Sequence, residues 1–258
     1  MRLLRYTVDL GQRTIEVETD GTRETVELYS PRGFEVLSHT WLSVGWSMKY
    51  SYQFTWLGRP IIQMPEDMVR LQELIYREKP DVIVETGVAH GGNQVFLASL
   101  CRLMGRGRVI GIDIEIRPHN RAALESHELY PLITLIEGSS TDPAVVELVR
   151  ATMGTPERVV ILLDANHTKD HVLQELEAYC PLVGSGSYII VADGIMDQLT
   201  MVPRGKPEWG WDNPRRAVAE FLSRHPEFEP IALPRPFDES LVQEPITYWP
   251  EGYLRRVG

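Results

Sequence analysis

Cysteine is scarce in this 258-residue sequence, and no long apolar run is present. The two cysteines, Cys101 and Cys180, fall inside helical patterns, so we expect free buried thiols in a reducing compartment rather than a disulfide framework. No stretch approaches the roughly 20 apolar residues that a membrane-spanning helix needs. The N-terminal stretch carries Arg2 and Arg5 and lacks an uninterrupted apolar segment, which is not typical of a signal peptide. We therefore expect a cytoplasmic protein with no membrane partner.

Basic residues are outnumbered by acidic ones, which argues against nucleic acid as a ligand. The chain has 26 Lys and Arg against 36 Asp and Glu, for a net charge of -10. Binding to a phosphate backbone needs clustered basic side chains, and this balance does not favour them. An acidic surface is compatible with an enzyme that acts on small molecules. We find no internal repeat and no low-complexity tract.

The first 35 residues differ in pattern from the rest of the chain. The segment RTIEVETDGTRETVEL alternates apolar and polar residues on both sides of Asp20-Gly21, a dipeptide typical of tight hairpin turns. We therefore predict a β-hairpin appendage over residues 1–35 and a main domain over residues 36–258.

An aromatic-rich segment follows over residues 31–63. It fits either core packing, a subunit interface or a cap over a ligand pocket. In the last case Tyr52, Trp56 and Gln63 are candidate substrate contacts. Together with the β appendage, this segment leads us to expect a homo-oligomer.

Strands alternate with helices from about residue 64 to residue 225. The predicted strands are VIVET, RVIGID, LITLIEG, RVVILLD and SYIIVADG, with two terminal strands after them. They are apolar throughout, which indicates that helices cover both faces of the sheet. The fold class is therefore α/β, a doubly wound and mostly parallel Rossmann-like sheet. Such sheets bind ligands beyond the carboxyl ends of their strands.

Acidic residues end four of these strands: Glu85, Asp113, Asp164 and Asp193. A single acid at a strand end is often a turn former or a helix cap. Four on one edge are harder to explain in that way, so we interpret this edge as functional.

The loop after the first main strand limits the choice of cofactor. Its glycines, Gly87, Gly91 and Gly92, do not follow the G-x-G-x-x-G spacing of dinucleotide enzymes, and an acid just before the loop would repel a pyrophosphate. A cationic adenosyl ligand without phosphate, S-adenosylmethionine, has the opposite requirement. Glu85 suits its positive end, directly or through water, and Asp113 suits the two ribose hydroxyls.

The predicted donor site extends to neighbouring residues. Ser139 and Ser140 follow the third main strand, in a turn that lies near the adenine in this architecture, although a helix-capping serine pair is an equal alternative. The full predicted set is Glu85, Thr86, Gly87, Ala89, Gly91, Gly92, Asn93, Asp113, Ser139, Ser140 and Asp164.

Asp164 and Asp193 end neighbouring strands and form a candidate pair of ligands for a hard metal, Mg²⁺ or Ca²⁺. The third protein ligand stays open between Asn166 and Asp197. His167 lies three residues after Asp164 and is the candidate general base.

A zinc site is the alternative use of His167, since His171 follows it at i+4. We disfavour it because the glutamate of the H-E-x-x-H arrangement is absent.

Several of these motifs together resemble one family. VETGVAHGGN, GIDIEIRPHNR, EGSS, LDANHTKDHVLQELEAYCPLV and SYIIVADG, with TWLGRPIIQMPEDM and NPRRAVAEFL, are similar to the cephalosporin hydroxylase family of class I S-adenosylmethionine-dependent methyltransferases, over residues 35–230. The resemblance implies metal-ligand positions at Asp164 and Asp193 and a catalytic base at His167. Ala192 and Gly194 depart from the metal-ligand pattern of the related enzymes.

The family includes sugar O-methyltransferases of antibiotic biosynthesis, some acting on TDP-rhamnose, and others acting on cephalosporins. We expect methyl transfer to a deoxysugar hydroxyl of a nucleotide-sugar or a glycoside. Modification of a β-lactam, a nicotinamide-dependent oxidoreductase and a non-catalytic scaffold are the alternatives.

The segment MDQLTMVPRGKPEWGWDN would cover the acceptor, unless it is only an exposed connection. Trp209 and Trp211 would stack on a sugar or a base in that arrangement. Arg204, Lys206 and Arg215 would meet a diphosphate.

Overall fold

A computed structural model describes residues 4–235 and 237–258. Arg2, part of the N-terminal stretch discussed above, lies outside the described residues. Cys101 and Cys180 are both buried and free, as expected. Among the described residues, no helix is long and apolar enough to cross a membrane.

The chain begins with a small antiparallel sheet. Strands β1 (Leu4–Asp9), β2 (Thr14–Thr19) and β3 (Thr22–Glu27) pair in chain order. Asp20 and Gly21 both have positive φ, at 49° and 84°, which is the backbone that a tight two-residue hairpin turn requires. The predicted hairpin is therefore confirmed, and β1 adds a third strand to it.

Helix α1 (Pro31–Ser47) forms the first part of the aromatic-rich segment over residues 31–63. Ser30 caps it by accepting a hydrogen bond from the Gly33 amide, and Pro31 occupies its first position. The predicted boundary at residue 35 falls inside this helix, and the division into two domains stays a prediction. A 3-10 turn and the short hairpin of β4 (Phe54–Trp56) and β5 (Arg59–Ile61) follow.

The main sheet has seven strands in the order β11-β12-β10-β9-β6-β7-β8. The parallel strands are β6 (Val82–Thr86), β7 (Arg108–Asp113), β8 (Ile133–Glu137), β9 (Val159–Leu163) and β10 (Tyr188–Val191). The antiparallel edge consists of β11 (Phe228–Pro230) and β12 (Tyr253–Arg256). Since β6 lies between β7 and β9, the order reverses at its carboxyl end, where this fold class binds ligands.

Helices cover both faces of the sheet, as the apolar strands predicted. They are α2 (Pro65–Glu78), α3 (Gly92–Met104), α4 (Pro118–Glu125), α5 (Pro143–Met153), α6 (Lys169–Tyr179) and α7 (Pro214–Arg224). Asp142 caps α5 and Asn213 caps α7 through their side chains, and a proline follows each cap. Two apolar clusters, one on each face, form the core of the main sheet.

Candidate active site

The loop from Gly87 to Gly91 connects β6 to α3 at the centre of the carboxyl edge. Gly87 has φ +93°, and a Cβ there would lie 2.2 Å from the backbone oxygen of Asp164. Only glycine allows this approach, because the ends of β6 and β9 meet at this point. Ala89 also has positive φ, at 47°, an uncommon conformation for a residue with a side chain.

Asp113 holds this loop from the end of β7. Its Oδ2 accepts hydrogen bonds from the amides of Val88, at 2.9 Å, and Ala89, at 3.0 Å. Its Oδ1 accepts from the amide of Glu115 at 3.2 Å. Asp113 therefore lies beside the glycine loop as predicted, with a carboxylate that orders the loop backbone.

Two residues that the sequence reading missed hold the loop from the other side. The guanidinium of Arg59 donates to the carbonyl of His90, at 3.1 Å from Nε, and to the side-chain oxygen of Asn120, also at 3.1 Å. The Asn120 amide in turn donates to the carbonyl of Ala89 at 2.9 Å. Both residues belong to motifs that resemble the family, TWLGRPIIQMPEDM and GIDIEIRPHNR, but their loop contacts are tertiary and leave no local pattern.

Glu85 corrects one expectation about the donor site. Its side chain is fully buried, and its two carboxylate oxygens accept hydrogen bonds from the side-chain amides of Asn93 and Gln94 at the start of α3. Direct contact with a ligand is therefore excluded in this geometry. Burial raises the pKa of Glu85 to about 8, against the hydrogen bonds that favour its charged form. Its neighbour Thr86 is also buried and accepts from the Asp164 amide.

The raised pKa of Glu85 predicts that the free energy of unfolding depends on pH. The variant Glu85→Gln should lack this contribution. Between an unfolded pKa near 4.5 and a folded one of about 8, the folded state holds a proton that the unfolded state has lost. The stability of the wild type therefore falls as pH rises through this window, by about 5 kcal/mol in total. Urea unfolding of the variant should show a flatter profile, because glutamine does not titrate.

The exposed Glu147→Gln on α5 is the matched control for this measurement. Its profile should follow that of the wild type. Equal slopes for Glu85→Gln and wild type between pH 5 and pH 8 would mean that Glu85 is charged in the folded protein over that window.

Ser139 and Ser140 lie after β8, as predicted. They do not cap the next helix, because the side chain of Asp142 caps α5. The hydroxyl of Ser139 contacts that of Thr141 at 3.0 Å. Ser140 is buried, and its hydroxyl lies 3.2 Å from Nε2 of His171.

His171 does not join His167, which removes the geometric basis of the zinc alternative. Its Nε2 lies 3.4 Å from Oε1 of Glu175, a fully buried side chain one turn further along α6. Sequence reading placed neither residue in a network with Ser140, because the contact joins two segments far apart in the chain.

Asp164, His167 and Asp193 form the cluster that the strand ends predicted. His167 Nε2 lies 3.3 Å from Oδ2 of Asp193 and 4.0 Å from Oδ1 of Asp164. One ligand atom from each of the three lies within 4.8 Å of the others. Asp193 has φ 56°, a left-handed backbone conformation that aspartate adopts more readily than most residues with a side chain, and its carboxylate lies in the cluster.

The two carboxylates of this cluster repel each other. Burial raises the pKa of Asp164 well above its ordinary value, and the charges of Asp193 and Glu85 raise it further. Burial also raises the pKa of Asp193, and the nearby His167 opposes this rise. Gln63 donates a hydrogen bond to Oδ2 of Asp164 at 2.7 Å but brings no charge. A bound cation would relieve this repulsion, so the residues present fit a divalent metal ion.

Neither predicted candidate for a third metal ligand joins the cluster. The side-chain oxygen of Asn166 accepts from the Thr168 amide at the start of α6. Asp197 pairs with Arg215 at 2.6 Å. Arg215 also pairs with Glu251, so its predicted role toward a diphosphate does not fit its contacts.

A cavity of about 170 Å³ adjoins the cluster. Its lining includes two of the five predicted substrate residues, Tyr52 and Gln63. The full lining is Trp46, Ser51, Tyr52, Ile62, Gln63, Met64, Gly87, Ala89, Asp164, His167, Asp193, Arg204 and Tyr248. This volume lies below the roughly 300–1,000 Å³ that is common for ligand sites. Asp113, Ser139 and Ser140 of the predicted donor site do not line this cavity.

Three predicted substrate residues lie elsewhere. The indole of Trp56 donates to the Ser99 hydroxyl at 3.1 Å and packs edge-on against Phe96, since β4 lies on α3. Trp209 packs behind the cavity against Trp46, with ring centroids 5.9 Å apart. Trp211 is 64% exposed, and neither it nor Lys206 lines the cavity.

The wall of the cavity includes Arg204, one of the three cations predicted to meet a diphosphate, and Tyr248, which sequence reading did not assign. Arg204 lies over the Tyr52 ring, 5.8 Å from its centroid, and donates to the Trp46 carbonyl. Tyr248 comes from the far end of the chain, and its backbone amide donates to the buried carboxyl of Asp67 at 2.9 Å. Burial raises the pKa of Asp67 to about 7. No local pattern marks such a contact between residues 181 positions apart.

Comparison with known proteins identifies the family. The model of the rhamnosyl O-methyltransferase/CmcI family matches residues 48–257. The rhamnosyl O-methyltransferase of Mycobacterium leprae is 30% identical over 152 residues, covering 58% of this chain and 64% of that protein. The protein of the same name from Mycobacterium tuberculosis (strain ATCC 25618 / H37Rv) is 28% identical, with coverages of 58% and 60%. This chain thus spans less than two thirds of the length of these curated relatives.

Solved structures agree on the fold. The CmcI-N160 apo-structure aligns with a TM-score of 0.55 at 21% identity, over 80% of this chain and 77% of that one. The structure described as cmcI-D160 Mg-SAM aligns with a TM-score of 0.54 at 23% identity, over 80% and 78%. The expected Rossmann-like α/β fold is thereby confirmed, and the family model confirms the resemblance to the cephalosporin hydroxylase family. Because the family model matches most of its length, this chain belongs to the rhamnosyl O-methyltransferase/CmcI family.

Proposed function

We propose that this chain is an S-adenosylmethionine-dependent O-methyltransferase that acts on a sugar hydroxyl. The observation that carries the proposal is the cluster of Asp164, His167 and Asp193 beside a glycine loop at the carboxyl edge of the sheet. The cluster combines a cation site with a candidate proton acceptor. The names of the relatives, rhamnosyl O-methyltransferase, support a sugar as acceptor.

The donor site is proposed along the glycine loop, where the acid-rich edge favours a positively charged cofactor. When bound, S-adenosylmethionine supplies an electrophilic methyl group on a sulfonium centre. Gly87, Gly91 and Gly92 leave backbone accessible, and Ser139 and Ser140 would border the adenine. Glu85 contributes indirectly, because it fixes Asn93 and thereby the start of α3.

Asp113 is proposed to accept hydrogen bonds from the two ribose hydroxyls. Each carboxylate oxygen accepts more than one hydrogen bond, so its contacts with Val88, Ala89 and Glu115 leave capacity for the ribose.

Asp113→Ala should therefore weaken the binding of S-adenosylhomocysteine about 30-fold by calorimetry, since hydrogen bonds to a charged group contribute about 1.5–3 kcal/mol. Asp113→Asn separates the two roles of the side chain: it can still accept from the loop amides but has lost the charge. We expect it to lie between wild type and alanine. Unchanged affinity in both variants would remove the ribose contact.

A divalent ion, Mg²⁺ or Ca²⁺, would be held by Asp164 and Asp193. When bound, such an ion supplies positive charge that favours the deprotonated form of an acceptor hydroxyl. Gln63 orients Asp164 toward the cluster. Ala192 offers no carboxylate, so water and acceptor oxygens would complete the coordination.

His167 is proposed as the general base. Its Nε2 faces the cavity side of the cluster and lies 3.3 Å from Asp193, so the imidazolium that forms on proton uptake is stabilised by a neighbouring carboxylate. The hydroxyl oxygen would accept the methyl group as the carbon–sulfur bond breaks, and His167 would keep the proton on Nε2. Positioning of the two reactants beside each other supplies much of the remaining rate.

The aromatic wall and one cation are proposed to bind the acceptor. Trp46 and Tyr52 present ring faces and edges on which a sugar can pack, and Arg204 places a guanidinium at the cavity. We infer a deoxysugar of the TDP-rhamnose type, free as a nucleotide-sugar or within a glycoside, in a natural-product pathway of the cytoplasm. A homo-oligomer is part of the same proposal.

The test is mass spectrometry of products from a panel of nucleotide-sugars, glycosides and β-lactams, each with S-adenosylmethionine and with or without a chelator. A mass increase of one methylene on a sugar, abolished by the chelator, supports the proposal. If only the β-lactams are modified, the acceptor is a β-lactam and not a sugar. Donor binding without any methylated product across the panel would favour a non-catalytic scaffold.

A further inference from the structure

A row of exposed apolar side chains runs along helix α1 and its C-terminal cap. Its members, with their exposed fractions, are Phe34 (39%), Leu37 (38%), Trp41 (37%), Val44 (54%) and Met48 (75%). The spacing of 3, 4, 3 and 4 residues is that of the a and d positions in a coiled coil. Contiguous exposed apolar surface of this kind commonly marks an interaction site.

Two buried residues outside the row attach α1 to the rest of the chain, and within the row Trp41 packs edge-on against Tyr50, with ring centroids 5.1 Å apart. Val36 packs against the N-terminal sheet, and Leu42 packs into the core of the main domain. These two buried residues fix the helix from the side facing the protein. The exposed row is thus a second apolar face of the helix, directed away from both cores.

The residues that flank the row are small and uncharged. They are Gly33, Ser38, Thr40, Gly45 and Ser47. In a coiled coil such flanking positions are often charged and determine which helices pair. Gly33 and Gly45 are buried against the chain's own Leu28 and Tyr248, and the half-buried Ser38, Thr40 and Ser47 carry no charge. A second copy of the same helix therefore meets no electrostatic repulsion from these positions.

We propose that α1 is the interface between two copies of this chain, paired antiparallel with the two-fold axis near Trp41. The spacing of the apolar residues is nearly the same on both sides of Trp41, as a two-fold interface requires. Phe34 of one copy would face Met48 of the other, and Leu37 would face Val44. Sulfur–aromatic contact favours the first of these pairs.

The exposed area is of the right size for the core of such an interface. At roughly 200 Å² for a large side chain, the row exposes on the order of 400 Å² per copy. A standard interface buries about 800 Å² per partner, with an apolar core and a polar rim. The row supplies the core, and the adjoining ends of the helix, including the exposed Tyr29, lie where the rim would be.

Sedimentation velocity of the full chain at micromolar concentration tests the proposal. Wild type is expected at twice the chain mass of 29.4 kDa or a higher multiple. Val44→Lys places a charge in the apolar row and should raise the dissociation constant at least 100-fold, halving the observed mass. His39→Lys is the matched control, since His39 is exposed on the opposite side of α1. Thermal unfolding checks that both variants remain folded.

A cysteine at the proposed axis locates the contact. Trp41→Cys should form a covalent dimer under mild oxidation, because the native Cys101 and Cys180 are buried. A monomeric wild type overturns the proposal. So does an assembly whose mass Val44→Lys does not lower, or one in which Trp41→Cys fails to cross-link.

Discussion

Asp164→Asn is expected to lower methyl-transfer turnover about a thousandfold, which corresponds to about 4 kcal/mol of lost transition-state stabilisation. The substitution removes one of the two charges proposed to hold the divalent ion, while an asparagine oxygen can still accept the hydrogen bond from Gln63. The fold of the site should therefore survive. Donor affinity should change little, because the proposed ribose and adenine contacts lie with Asp113 and the two serines.

Turnover as a function of Mg²⁺ concentration, together with calorimetry of S-adenosylhomocysteine, measures the two expectations separately. The exposed Asp170→Asn on α6 is the matched control and should behave as wild type in both assays. Persistence of full metal-stimulated turnover in Asp164→Asn would show that the ion binds elsewhere or is not needed.

Asp164→Asn should also change the midpoint of thermal unfolding when no metal is present. Asp164 and Asp193 repel each other across the cluster, and burial makes the charge of each more costly. Removing one charge should raise the midpoint of thermal unfolding in chelator, whereas Mg²⁺ should stabilise the wild type and leave the variant nearly unchanged. A midpoint lowered in chelator would mean that Asp164 is held by contacts other than those of a cation site.

The strands of the main sheet could be predicted because local composition determines them. Buried parallel strands such as Val82–Thr86 and Val159–Leu163 are continuous apolar runs, and the acid that ends each run marks the edge. Helix starts at Pro143 and Pro214 were predictable for the same reason, since each cap and its proline are adjacent in sequence. Asp164 and Asp193 meet because β9 and β10 are neighbouring parallel strands, and His167 follows Asp164 in the same loop.

What sequence reasoning could not give depends on contacts between distant segments. Tyr248 reaches the cavity through Asp67, and Trp56 turns away from it to pack on Ser99 and Phe96. The burial of Glu85 also depends on α3 crossing above the strand. Helix α1 was missed because its apolar residues serve two faces at once and so obscure the pattern of a helix with one buried side.

His167→Ala is expected to lower kcat about 100- to 1,000-fold while changing KM for the acceptor only slightly, because the side chain is proposed to act on the proton and not on ground-state binding. The neutral imidazole is the form that accepts a proton, so wild-type turnover should show a pH-dependent limb that requires this side chain. The variant should lack this limb. Its deficit should shrink at high pH, where hydroxide can take the proton instead.

The geometry also allows a competing role for His167, as a third metal ligand, since its ring nitrogen lies within 4.8 Å of both carboxylates. The Mg²⁺ concentration for half-maximal turnover separates the two roles. If His167 is only the base, His167→Ala should leave that Mg²⁺ concentration nearly unchanged. If His167 is a metal ligand, the substitution should raise it by 10-fold or more. The exposed His39→Ala should resemble wild type throughout. An unaltered pH–rate profile in His167→Ala, with weakened metal activation, would therefore assign this histidine to the metal and leave the proton to solvent or to one of the carboxylates.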